Sequence, residues 1–177
     1  MSDKLNKGYI QVYTGDGKGK TTAALGLLLR AVGAGLRVYI AQFLKGIEYS
    51  EIVALNNKFK DEVTFEQFGT KNYIIKEPLS EHFKVVDKGF KRVKEVMASG
   101  EYDIIILDEI NITLFFGLKT VDDLLEIMDA KPDDVELILT GRRAPQEIID
   151  RADLVTEMVP IKHYFHQGVL SRKGIED

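Results

Sequence analysis

The sequence predicts a single α/β domain in which a mostly parallel sheet is flanked by helices. Apolar strand-like segments alternate with helix-like segments along the whole chain, an order typical of parallel sheets joined by crossover helices. A glycine-rich loop separates the first predicted strand from the first predicted helix. The length of 177 residues and the 45% of apolar residues suffice for one domain with a full hydrophobic core.

The first half of the chain alternates between strands and a well-marked helix. Residues 9–14 and 38–43 are short apolar runs with aromatic or β-branched residues, as expected of strands. Between them, residues 20–32 are rich in alanine and leucine, and Gly33 follows as a helix-ending glycine. Residues 63–68 are β-branched and aromatic, and they form the third predicted strand.

A long amphipathic helix and a buried strand are predicted next. Ser80 is the predicted N-cap, and apolar residues follow it at steps of three and four up to Met97. They form one apolar stripe, which is typical of a helix packed against a core. Residues 102–107 are almost wholly apolar, which indicates a strand covered on both faces.

Two shorter helices and two strands complete the alternation. A helix is predicted over residues 120–128, because its first residue is a threonine and Asp123 stands three positions later, as in a capping box. Residues 145–152 form a short predicted helix with a proline in its first turn. Residues 135–139 and 154–158 are the last two predicted strands.

The loop after the first strand has the features of a phosphate-binding loop. Residues 14–22 read Thr-Gly-Asp-Gly-Lys-Gly-Lys-Thr-Thr, and they lie at the carboxyl end of a strand, where parallel sheets bind ligands. Glycines let several N–H groups point at one anion, and the following helix adds its positive dipole end. Lys20 would reach phosphate oxygens, and Thr21 would offer its hydroxyl to Mg²⁺. The loop is a variant, because its glycine spacing is one residue shorter than the general pattern.

Two carboxylates follow the most apolar strand. Asp108 and Glu109 come directly after residues 104–107, so we expect them to face the phosphate loop at the same edge of the sheet. Mg²⁺ is commonly bound by one or two such groups together with phosphate oxygens. The pair therefore predicts a metal site. Two alternatives stay open, a helix N-cap at this turn and a glutamate that activates water in an ATPase.

Composition excludes several classes of function. The formal net charge of −4 argues against a nucleic-acid or anionic-membrane partner. The chain has no cysteine, which excludes disulfides, thiolate metal sites and a thiol nucleophile. No apolar run approaches the roughly 18 residues of a membrane helix, and the N-terminal residues form no signal core. We therefore expect a cytoplasmic protein that binds no membrane.

Several segments together resemble the P-loop type of ATP:corrinoid (cob(I)alamin) adenosyltransferase. They occur in the family's order and are residues 14–24, 30–35, 42–46, 107–110, 140–142 and 152–175. The resemblance implies a RecA-like P-loop fold. It also implies transfer of the 5′-deoxyadenosyl group of ATP to the cobalt of a reduced corrinoid, with triphosphate as the leaving group.

The resemblance implies roles for individual residues. Contacts with ATP fall on Gly15, Asp16, Gly17, Lys18, Gly19, Lys20, Thr21 and Thr22. Thr21 and Glu109 are the implied ligands of Mg²⁺ or Mn²⁺. The implied catalytic residues are Lys20, Glu109 and Arg142. Asp16 stands where relatives often have asparagine, so Lys18 or the metal must offset its charge.

The segment that the resemblance places next to the corrinoid departs from the family pattern. Relatives often carry a Phe-Thr-Trp segment after the third strand, whereas residues 69–74 here read Gly-Thr-Lys-Asn-Tyr-Ile. Tyr73 is expected to replace the missing aromatic wall, and the alternative is a surface loop. The resemblance further implies a homodimer and a reductase such as a flavodoxin-like protein. We also expect the tail, residues 160–177, to pack near the active site.

Two other functions use the same loop. A P-loop kinase would need a base and an acceptor-binding lid, and the sequence has no distinct motif for either. An ATPase or nucleotide switch would need no acceptor. The phosphate product separates the three functions, since only adenosyl transfer releases triphosphate.

Overall fold

A computed structural model describes residues 5–72 and 74–176, and within them six parallel strands form one sheet. In chain order the strands are β1 (Ile10–Thr14), β2 (Val38–Phe43), β3 (Val63–Phe68), β4 (Ile104–Asp108), β5 (Glu136–Thr140) and β6 (Leu154–Glu157). Their order across the sheet is β3-β2-β4-β5-β1-β6, and every pairing is parallel. All six carboxyl ends therefore lie at one edge of the sheet.

Helices connect the strands. They are α1 (Lys20–Gly33), α2 (Ser50–Lys58), α3 (Ser80–Ser99), α4 (Ile110–Phe115), α5 (Val121–Asp129) and α6 (Gln146–Arg151), followed by a 3₁₀ turn at Tyr164–Gln167. No helix of the described ranges is both long enough and apolar enough to cross a bilayer.

The hydrophobic core consists of two layers, one on each face of the sheet. Along β4, Ile104 and Ile106 belong to one layer, together with apolar residues of α1. Ile105 and Leu107 belong to the other layer, together with residues of α3 and α5. Successive side chains of a strand point to opposite faces, so β4 needs apolar residues at nearly every position. The prediction of a strand covered on both faces is confirmed.

The predicted elements are all present, with bounds that differ by at most two residues. The capping box of α5 is confirmed, since the Thr120 hydroxyl accepts from the N–H of Asp123. The N-cap of α3 was predicted wrongly, because Leu79 occupies that position and Ser80 is the first helical residue. The Nδ1 atom of the buried His82 ring, in the first turn, accepts from the N–H of Leu79 at 2.8 Å.

Two helices of the structure, α2 and α4, were not predicted from the sequence. Helix α2 has nine residues and buries only Ile52 and Leu55, so its apolar stripe is weak. Helix α4 has six residues, fewer than two turns of periodic signal. Both helices follow strands at the carboxyl edge of the sheet, and both therefore border the candidate site.

Candidate active site

The glycine-rich loop is held against the backbone that follows β6. The N–H of Gly17 donates to the carbonyl oxygen of Met158 at 2.6 Å, and the N–H of Met158 donates to Thr14 at 2.9 Å. A Cβ atom on Gly15 or Gly17 would lie 2.6 or 2.5 Å from the Met158 oxygen, so neither position has room for a side chain. The sequence needs glycine here for this close approach as well as for any bound anion.

Lys20 lies over the loop that precedes it. Its Nζ donates to the carbonyl oxygens of Gly15 and Gly17, each at 2.7 Å. The residue is only 7% exposed, and this burial lowers the pKa of the Lys20 ammonium. A cation is thus fixed at the centre of the loop, at the position that the sequence predicted for binding phosphate.

The Asp108 carboxylate contacts side chains from four different parts of the chain. Its Oδ1 accepts from the hydroxyls of Thr21 at 2.8 Å and Thr140 at 2.7 Å. Its Oδ2 accepts from Gln42 Nε2 at 3.0 Å and lies 3.5 Å from Lys45 Nζ. The carboxylate is 2% exposed, and four donors or cations from different elements surround it. Thr21 and Glu109 were the implied ligands of one metal, and the structure adds a hydrogen bond from the Thr21 hydroxyl to Asp108.

Glu109 lies beside Asp108 in a strained backbone conformation. Its φ is +59°, and its N–H donates to the Thr140 hydroxyl at 3.0 Å. Burial raises the pKa of the Glu109 carboxyl, and the neighbouring Asp108 charge raises it further. Glu109 precedes α4 but its side chain makes no capping hydrogen bond there, so the open alternative of a helix cap gains no support.

Positive φ angles mark this edge of the sheet. Among non-glycine residues of the described chain they occur at Leu44, Glu109 and Arg143, with φ of 63°, 59° and 58°. Each of these residues follows the end of a strand, β2, β4 or β5. Strained backbone persists where the surrounding structure fixes it, and it is concentrated at functional sites.

The loop after β5 brings Arg142 to the cavity and places Arg143 against α4. Arg142 Nη1 lies 3.8 Å from Asp16 Oδ1, which makes Arg142 a further positive neighbour of Asp16 besides the expected Lys18 or metal. The Arg143 guanidinium lies over the Phe115 ring, 4.0 Å from its centroid. The Asp16 pair is exposed, which makes it a weak contact in water.

Lys18 contacts the C-terminal tail. Its Nζ donates to Glu176 Oε1 at 2.7 Å and to the Ile175 carbonyl oxygen at 2.8 Å. The hydrogen bonds from Arg172, Lys18 and Tyr164 hold the pKa of the Glu176 carboxyl well below its usual range. The tail thus places an anion on a lysine that was predicted to bind triphosphate.

One cavity of about 460 Å³ joins these groups. Of the predicted residues it is lined by Gly17, Lys18, Gly19, Lys20, Thr21, Thr22, Glu109 and Arg142. Lys45, Ser50 and Glu51 also line it and were not predicted as site residues. Lys45 lies in residues 42–46, one of the segments that resemble the family, and this resemblance could have identified it as a site residue. Ser50 and Glu51 belong to α2, whose weak apolar stripe was not recognised in the sequence.

Tyr73 lies outside the described residues, so its predicted place beside the corrinoid stays a prediction. The segment before it reaches the site edge. A Cβ atom on Gly69 would lie 2.3 Å from the carbonyl oxygen of Lys45, and one on Gly46 would lie 2.3 Å from the carbonyl carbon of Thr70. The loops after β2 and β3 are therefore in direct backbone contact.

The fold and this site define a class of protein. A parallel sheet carries a glycine-rich loop between its first strand and helix, and a buried aspartate faces the Thr21 hydroxyl at the start of that helix. These features define a P-loop nucleotide-binding protein. The structure is similar to the crystal structure of the flagellar accessory protein FlaH from Methanocaldococcus jannaschii. The TM-score is 0.60 at 15% identity, over 86% of this chain and 72% of that one. This likeness concerns the fold, and it agrees with the predicted RecA-like arrangement.

The family follows from sequence comparison. The model of the family "ATP:corrinoid adenosyltransferase BtuR/CobO/CobP" matches residues 6–176, so the chain belongs to this family. A corrinoid adenosyltransferase of Pseudomonas aeruginosa is 32% identical, over 96% of this chain and 84% of its own length. The Escherichia coli K12 corrinoid adenosyltransferase is also 32% identical, over 96% of this chain and 86% of its own length. A relative in Nostoc, named only as uncharacterized, is 39% identical over 92% of this chain, which spans 46% of that relative's length.

Proposed function

We propose that this chain transfers the 5′-deoxyadenosyl group of ATP to the cobalt(I) of a corrinoid and releases triphosphate. The observation that carries the proposal is the cavity of about 460 Å³ in a chain of this family, whose wall joins Lys20 and Thr21 of the phosphate loop to Glu109 and Arg142. Triphosphate is a highly charged leaving group, and a cavity lined by cations favours its departure.

The reaction needs positioning and charge more than an activated side chain. Cobalt(I) is itself a strong nucleophile, and its electron pair would form the cobalt–carbon bond at C5′ of the ribose. The C5′–O bond breaks at the same centre, its electrons leave with triphosphate, and the cobalt ends formally as cobalt(III). The protein's part is to hold C5′ in line with the cobalt and to neutralise the leaving group.

Lys20 is proposed to hold the triphosphate throughout this reaction. Its ammonium already lies within the loop and is nearly excluded from water, so little reorganisation is needed when phosphate oxygens replace the two carbonyl partners. Arg142 is proposed to add positive charge from the loop after the neighbouring strand β5, where it forms an exposed pair with Asp16. These two residues approach the leaving group from different strands of the sheet.

The donor set fits Mg²⁺ or Mn²⁺. Both cations prefer oxygen ligands, and the cavity edge offers the Thr21 hydroxyl beside two carboxylates. We propose that Thr21 and Glu109 bind the cation directly and that Asp108 orients Thr21. When bound, the cation would neutralise negative charge on the triphosphate.

We further propose that residues 160–177 close the cavity over the phosphates. The support is the contact of Glu176 and Ile175 with Lys18. On ATP binding, Lys18 would exchange the Glu176 carboxylate for a phosphate oxygen. Glu176→Gln should therefore tighten ATP binding severalfold, measured by calorimetry, and this gain should disappear in a Lys18→Ala background. Weaker binding by Glu176→Gln would refute the exchange.

The remaining family features are proposals of the same kind. Tyr73 would form an apolar wall that keeps the lower ligand away from cobalt, which eases its reduction. A flavodoxin-like reductase would supply the electrons, the active form would be a homodimer, and the site of action would be the cytoplasm. The corrinoid product would serve cobalamin biosynthesis or salvage.

An anaerobic assay with reduced cobalamin and ATP tests the proposed function. Adenosyl transfer yields inorganic triphosphate and a corrinoid whose new cobalt–carbon bond is cleaved by light. ADP formed only with an acceptor would indicate a kinase, and ADP plus phosphate formed without an acceptor would indicate an ATPase. Either of those results, in the absence of a light-sensitive product, would overturn the proposal.

A further inference from the structure

Two glutamines and the central aspartate lie side by side on three neighbouring strands. In the register of the sheet, Gln42 of β2 is the partner of Gln67 on β3 and of Asp108 on β4. Gln67 Nε2 donates to Gln42 Oε1 at 2.9 Å, and Gln42 Nε2 donates to Asp108 Oδ2 at 3.0 Å. Gln42 is 2% exposed, so its amide is held away from bulk water. A polar row thus crosses the sheet just beneath the cavity.

The row has a fixed direction. Gln67 Nε2 also donates to the carbonyl oxygen of Ile47 at 2.9 Å, and this contact keeps its nitrogen turned toward β2. Gln42 must then present its oxygen to Gln67, which leaves its nitrogen for Asp108. The opposite orientation of Gln42 would place an amide oxygen against the carboxylate. Gln67 and Asp108 therefore hold the Gln42 amide in one orientation from its two ends.

The orientation of Asp108 in turn determines how Thr21 presents its hydroxyl. A hydroxyl has one proton and two lone pairs. Thr21 donates its proton to Asp108 Oδ1, so its lone pairs are left for a cation at the cavity edge. Rotation of the carboxylate would break this bond, and the Gln42 bond to Oδ2 opposes that rotation.

We infer that Gln42 and Gln67 are positioning residues for magnesium-dependent ATP binding, and that they act through Asp108 on the Thr21 hydroxyl. Neither side chain lines the main cavity, so neither is assigned a contact with ATP. Groups that orient metal ligands typically contribute about 10- to 100-fold to metal affinity. The inference rests on the proposed function only in that ATP and a divalent cation bind at this site.

The test is the affinity for ATP with and without magnesium, measured by isothermal titration calorimetry in the absence of corrinoid. Gln67→Met keeps the length of the side chain and removes the amide. Without Gln67, the Gln42 amide keeps its bond to Asp108 but loses the bond that fixes its other end, and we expect the Kd of ATP in excess Mg²⁺ to rise about tenfold. In EDTA the Kd should change by less than about twofold, since the phosphate loop itself is unaltered.

Gln11→Met is the matched control. Gln11 also bridges two polar groups on a strand, since its Nε2 donates to Glu136 and its Oε1 accepts from Tyr13. It contacts neither Asp108 nor the loop, so both Kd values should stay unchanged. Because Gln42 and Gln67 act in series, Gln42→Leu combined with Gln67→Met should weaken binding no more than Gln42→Leu alone.

Two results would overturn the inference. If Gln67→Met raises the Kd of ATP by the same factor with and without Mg²⁺, the effect is a general structural one, and an unchanged Kd would show that the row has no role. If Gln67→Met unfolds, Gln67→Leu serves for the same comparison. The assay contains no corrinoid, so its outcome is independent of whether adenosyl transfer is the reaction.

Discussion

Replacing Lys20 with alanine is the most direct test of the site. In the structure the ammonium donates two hydrogen bonds of 2.7 Å to carbonyl oxygens of the phosphate loop, and the residue is 7% exposed. A phosphate oxygen that replaces either carbonyl gains a charge-assisted bond, worth about 1.5–3 kcal/mol. This free energy corresponds to a loss of about 10- to 150-fold in kcat/KM on substitution. The assay is anaerobic adenosylation of reduced cobalamin, followed by formation of triphosphate.

Lys131 provides a matched control for that substitution. It is also a partly buried lysine, and its Nζ donates to the carbonyl oxygens of Gly8, Pro132 and Val135 near the amino ends of β1 and β5. Lys131→Ala should lower the free energy of unfolding but keep kcat/KM within about twofold, since the change is far from the transition state. Retention of more than about a tenth of the activity by Lys20→Ala, a loss below ~1.4 kcal/mol, would refute the assignment of Lys20.

Three further predictions concern the metal, the corrinoid wall and pH. Glu109→Gln replaces a carboxylate by a neutral amide, a poorer Mg²⁺ ligand, so the Mg²⁺ concentration for half-maximal activity should rise. An unchanged requirement would exclude ligation by Glu109. Tyr73→Ala should slow adenosylation that starts from cobalt(II) more than adenosylation of chemically prepared cobalt(I), because the latter needs no reduction; equal losses would count against a wall. Burial lowers the pKa of Lys131 below its ordinary 10.5, so the folded state binds fewer protons than the unfolded chain between the lowered pKa and 10.5. Stability should therefore rise with pH in that window, and chemical denaturation of Lys131→Met should show a smaller rise than wild type.

The main elements of the fold could be predicted because each has a local signal. The apolar run of β4, the stripe of α3 and the Thr120–Asp123 capping box all lie within a few neighbouring residues. Helix α2 could not be predicted in this way, because it buries two apolar residues and is stabilised by packing against β3. The cap of α3 was mispredicted because the buried His82 ring, and no serine, accepts from the backbone there.

In the candidate site, too, the features that depend on neighbouring residues could be predicted, and the contacts between distant residues could not. The phosphate loop could be predicted from nine consecutive residues, 14–22, because its glycines, lysine and threonine set a backbone geometry that depends only on near neighbours. Which carboxylate would meet Thr21 was decided only by the fold, because Thr21 and Asp108 are 87 positions apart and meet through the parallel pairing of distant strands. The contact of Lys18 with Glu176 spans 158 positions, and the row from Gln67 to Asp108 spans three strands. A sequence specifies which groups are present and their local backbone. Hydrogen bonds between distant strands depend on sheet order and register, which follow from burial of the whole core.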